Sequence, residues 1–81
     1  MNELFEVLTV TTMAVGHGKA AVSRHVATAQ VLMINGRYAK VTFQKYGDEQ
    51  WSELHGGKYT AVEDGWFVDA LNEALAESLD Q

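Results

Sequence analysis

Three histidines, His17, His25 and His55, are the nitrogen ligands that this chain could offer a metal, and it has no cysteine to add a thiolate. Protein zinc sites draw their ligands at short, recurring spacings such as HExxH. No two of these histidines stand three or four residues apart, so neither a metal nor a cofactor is expected. His25 falls in a β-like run and is expected half-exposed on a sheet. His55 suits the negative end of a short helix. Ser23, Ser52 and Ser78 have no nucleophile-elbow motif around them and no base beside them in sequence. The stretch Gly16-His17-Gly18-Lys19 invites comparison with a phosphate-binding loop, which needs a glycine five residues before its Gly-Lys pair and a hydroxyl residue after it. Those two positions hold Met13 and Ala20, so both the backbone cradle and the magnesium ligand are missing. Nothing here supports an enzyme.

Two surfaces have the chemistry of binding instead. Asp69, Glu73 and Glu77 recur every four residues, which on a helix puts their carboxylates about 6 Å apart along the axis. Asp80 continues the row, and Trp66 projects onto the same arc. A tryptophan beside carboxylates has the character of a hot spot for a protein partner with a basic surface. The competing reading is an ordinary solvated helix face. In Tyr38, Lys40, Thr42, Gln44 and Tyr46, aromatic and basic residues interleave on one strand face, as on sheets that stack bases and hold phosphates. The favoured reading of those tyrosines is that they cover the C-terminal helix or a dimer partner.

Charge separates along the chain. Residues 19–45 carry Lys19, Arg24, Arg37, Lys40 and Lys45 and no acid, whereas residues 46–81 carry nine acids against Lys58 alone. The net charge of −5 opposes general affinity for nucleic acid. The asymmetry fits either two binding faces or segments that neutralise each other in the fold.

Five stretches place these residues on elements. Residues 3–15 are rich in β-branched types and read as a strand with Phe5, Val7, Met13 and Val15 on one face and Leu4, Leu8 and Val10 on the other. Two apolar faces predict a central or doubly covered strand. Residues 20–25 are open between strand and helical turn. Asn35-Gly36 between β-like runs predicts a hairpin of about 26–34 with 37–46, on a turn whose two residues both tolerate positive φ. In its second strand Ala39, Val41 and Phe43 point to the core. Asp48 as N-cap, Glu49 and Gly56 favour a short helix at 49–55 over a strand paired through Gly56-Gly57. From about 65 to 80, Phe67, Val68, Ala70, Leu71, Ala74, Leu75 and Leu79 share one broad arc of an amphipathic helix. The capping-box spacing of Thr60 and Glu63 would allow it to begin near 61.

The 81 residues form one domain, residues 1–81. Its expected class is α+β, with three or four antiparallel strands packed by the C-terminal helix. No apolar run approaches the roughly 20 residues of a membrane span, and the start of the chain has acids where a signal peptide has lysines. A cytoplasmic protein is expected, in a bacterial host if phage-encoded. The expected function is a small acidic binding protein, an inhibitor of a nucleic-acid-handling complex whose carboxylates stand in for phosphates, of the phage counter-defence kind (anti-CRISPR or anti-restriction). A nucleic-acid-binding module on the 37–46 face, or a homodimeric regulatory or structural subunit, are the alternatives.

Overall fold

The β-branched run at the start of the chain forms strand β1, Phe5–Val15. A 3-10 turn at Gly18–Ala20 leads into β2, Val22–Leu32, and a tight connection into β3, Tyr38–Tyr46. Two short strands follow, β4 at Ser52–His55 and β5 at Lys58–Ala61, and then the helix α1, Trp66–Leu79. The computed structural model describes residues 4–62 and 65–80, and the side chain of Trp66 lies outside that description. The strands make one antiparallel sheet in the order β1-β2-β3-β4-β5, with α1 packed chiefly against β1. The class is α+β, with five strands where three or four were expected. No described helix is long and apolar enough to cross a membrane.

β1, expected to be central or doubly covered, is an edge strand. Its apolar residues fall on both faces of a strict alternation because of a bulge. Val7 pairs with Ala29 but Thr9 pairs with Thr28, so Leu8 is an extra residue, and beyond it the alternation changes phase. Phe5, Val7 and Val10 face the core, opposite Val31, Ala29 and Ala27, while Met13 and Val15 turn outward. The expected set Phe5, Val7, Met13 and Val15 is thereby divided, and Val10 parts from Leu4 and Leu8.

Residues 22–25 belong to β2, and β3 keeps the expected alternation, with Phe43 buried beneath the helix side. The β2–β3 turn differs in type from the one expected. The Gly36 amide donates to the Met33 carbonyl at 2.9 Å and the Met33 amide to the Arg37 carbonyl at 2.8 Å, while among the described residues only glycines have positive φ. That is a type I turn closed by a glycine bulge, with Asn35 at negative φ and its Oδ1 accepting from the Arg37 amide at 3.0 Å. Gly36 alone needs the left-handed region, at φ +82°. Gly36→Val is therefore expected to lower stability by about 1–3 kcal/mol through backbone strain, read as a lower midpoint in thermal circular dichroism. A wild-type midpoint would contradict the turn.

The helix expected at 49–55 is absent from the described residues; β4 and β5 occupy that region as a hairpin. Gly56 and Gly57 both have positive φ, +58° and +81°, the pattern of a type I′ connection whose twist matches paired strands. An isolated seven-residue helix is marginal, whereas β4 gains ladder bonds to β3 on one side and β5 on the other. Asp48 caps nothing: it lies in the turn after β3, and His55 ends a strand. α1 starts after Gly65, which makes no side-chain cap, so the earlier start near 61 does not occur; Thr60 is part of β5, and Glu63 lies outside the described residues.

The core lies between the sheet and α1. Phe5, Phe43 and Phe67 cluster with ring centroids 5.9–6.4 Å apart, a separation at which aromatic pairs attract. Ala27 and Ala29 on β2 are fully buried, and their small side chains leave room for Leu71 and Leu75 of α1. Trp51, just before β4, is 2% exposed, and its indole Nε1 donates to Asn72 Oδ1 on α1 at 2.8 Å.

Candidate functional site

The acids of α1 emerge on its outer surface because its other face is committed to the core. Leu71 and Leu75 are buried and Phe67 and Val68 half-buried, which leaves Asp69, Glu73, Glu77 and Asp80 exposed together. Helix stability does not account for this arrangement. Like charges at four-residue spacing weaken a helix. Only Asp69, in the first turn, suits the positive end of the macrodipole; Glu77 and Asp80 stand near the negative end, where the last turn has no basic residue. The expected exposure of Trp66 concerns a side chain outside the described ones.

Two basic residues, Arg24 and Lys40, are held away from this surface by the sheet. Arg24 and Lys40 alternate with core-facing neighbours, so they lie on the face opposite α1. There Arg24 Nε donates to Gln44 Oε1 at 3.1 Å, and Gln30 Nε2 donates to Glu6 Oε1 at 3.0 Å. Lys45 is on the helix side, where its ammonium stands 5.9 Å from the centre of the Trp51 ring. Arg24 and Lys40 are therefore separated from the acids of α1 by the sheet, whereas Lys45 shares their side.

Tyr38, Lys40, Thr42, Gln44 and Tyr46 share the outer face of β3 as their spacing indicates. α1 lies on the other side, so these tyrosines do not cover it. Eight residues separate Tyr38 from Tyr46, about 26 Å along the strand, too far for the two rings to stack neighbouring bases. Register adds Tyr59 to this face: it pairs with Leu54, two residues beyond Ser52, which pairs with Gln44. The Gly56-Gly57 signal in the sequence could have revealed this, had 52–61 been read as a hairpin.

The histidines fall on three separate elements. His17 is in the β1–β2 connection and His55 ends β4, both exposed. His25 is buried, 7% exposed, and not half-exposed as its strand position suggested. Its Nδ1 and the Thr12 hydroxyl share a hydrogen bond of 2.9 Å across β1 and β2, which gives that ring nitrogen a partner on the core side of the sheet. No group of three or more metal-ligating side chains gathers among the described residues. A cleft of about 310 Å³ opens beside the phenylalanine cluster, with Glu53 the one charged group among its described lining residues. A shallower groove of about 320 Å³ runs between β1 and α1, bounded by Val7–Val10 on one side and Ala74, Glu77 and Ser78 on the other.

Compared with protein-family models, with curated proteins and with solved structures, the chain matches none. The surfaces themselves therefore carry the functional argument.

Proposed function

We propose that the protein is a non-enzymatic binding protein that engages a partner with a basic surface through the outer face of α1. The observation that carries this reading is the row Asp69, Glu73, Glu77 and Asp80, exposed together and placed against the electrostatic preference of the helix that bears them. Carboxylates in a row about 6 Å apart present a surface that a phosphate-binding site accepts. The target is a protein that handles nucleic acid, and the consequence of binding is its inhibition by occupancy of the phosphate positions. The wide spacing of the tyrosines gives the nucleic-acid-binding alternative less support.

Asp69→Lys combined with Glu73→Lys is expected to abolish capture of the partner, since attraction becomes repulsion and like charges facing each other at an interface cost several kcal/mol. Both side chains are exposed, so the melting midpoint should stay close to wild type. The partner is identified by affinity capture from the native host and its affinity measured by calorimetry. Lys40→Glu, on the opposite face, should leave that affinity unchanged. Undiminished binding by the double reversal, with loss in Lys40→Glu, would transfer the function to the sheet face.

A further inference from the structure

We propose that two copies of the chain associate by antiparallel pairing of their β1 strands, which joins their sheets into one of ten strands. A sheet edge exposes unpaired backbone amides and carbonyls, and natural edges are blunted by short length, lysine, proline or bulges. The two edges of this sheet differ in that respect. β5 has 4 residues and begins with Lys58. β1 has 11 residues with no lysine, arginine or proline, and its bulge lies between Val7 and Thr9, so Val10–Val15 is a regular, uncharged edge.

The ladder shows which groups are free. The Leu32 amide donates to the Leu4 carbonyl, and the Gly47 amide donates to the Ser23 carbonyl on the other side of β2. Even-numbered residues of β2 therefore bond toward β1. Their partners beyond the bulge, Thr9, Thr11, Met13 and Val15, turn their backbone groups inward. The amides and carbonyls of Val10, Thr12 and Ala14 point out of the sheet edge.

A second copy fits this edge better than an unrelated strand does, for two reasons. Pairing about a two-fold axis at Thr12 sets Val10 against Ala14 of the second copy, so the free groups of both strands are satisfied reciprocally. The same register runs the start of each β1, with Glu6, alongside the β1–β2 connection of the other copy, with His17 and Lys19. Acid meets base. The axis is perpendicular to the sheet, so both α1 helices lie on one side of the dimer.

Sedimentation equilibrium of the full chain from micromolar to millimolar concentration tests the proposal. The expected mass rises to twice 8.9 kDa. Ala14→Pro removes an outward-pointing amide without touching the β1–β2 ladder, a position that an edge strand tolerates, and should leave a folded monomer. If that variant does not fold, Met13→Lys decides: its exposed side chain would place two ammonium groups beside the axis and weaken association about tenfold or more. A wild-type chain that stays monomeric, or a dimer that persists in a folded Ala14→Pro or in Met13→Lys, overturns the proposal.

Discussion

Leu71→Asp leaves no folded protein at room temperature. The side chain is fully buried, under α1 against the alanines of β2, and among the described core residues no cation stands ready to pair with a carboxylate there. An isolated charge in such a site costs more than most domains can lose, since total stability is about 5–15 kcal/mol. Leu71→Ala separates the effect of charge from that of volume: a cavity costs about 2–5 kcal/mol, so this variant should fold with a lower midpoint. Circular dichroism melts of the two proteins give the comparison. If Leu71→Asp melts like wild type, α1 is not docked on the sheet. Leu75→Asp should act in the same direction with a smaller effect, because that position is 7% exposed.

Trp51→Ala is the second large loss. Trp51 is the largest fully buried side chain among the described residues, and it ties the segment before β4 to α1 through Asn72. Truncating a buried tryptophan costs about 3–5 kcal/mol, and each kcal/mol lowers the midpoint by roughly 4–8 °C in a domain of this size. A fall of tens of degrees is expected. Trp51→Phe keeps most of the apolar surface and loses the indole donor, so its cost should be near 1 kcal/mol, the typical net worth of one hydrogen bond. Equal losses in the two variants would mean that the hydrogen bond, and not the packing, holds the segment in place. A midpoint for Trp51→Ala within a few degrees of wild type would contradict the core position altogether.

The candidate site was legible in part. The acidic row on α1 follows from a period of 3.6 residues, which needs no knowledge of any other element. Its separation by the sheet from Arg24 and Lys40 was not legible, because the charge counts by segment are the same whether the segments touch or lie back to back. The β3 face was legible from its period of two. Its separation from α1 was not, since alternation tells which residues share a face and not which face the helix covers.

What the sequence determined by itself is whatever depends on neighbours a few residues away. The amphipathic helix, the alternation of Ala39, Val41 and Phe43 inside with Tyr38 and Lys40 outside, and a reversal of the chain at Asn35-Gly36 are of this kind. Tertiary structure decided the rest. Residues 49–55 hold capping types that favour a short helix, but the segment runs extended beside β3 with Trp51 buried, and burial of an indole outweighs a cap. The phase of β1 depends on one extra residue, Leu8, which the register with β2 creates and no local pattern announces. His25 is buried because its strand is an interior one and its partner Thr12 supplies a hydroxyl, two facts set by long-range pairing. β1 lies at an edge because the meander begins with it and nothing pairs its outer side among the described residues, and strand order is a property of long-range contacts that local composition does not encode.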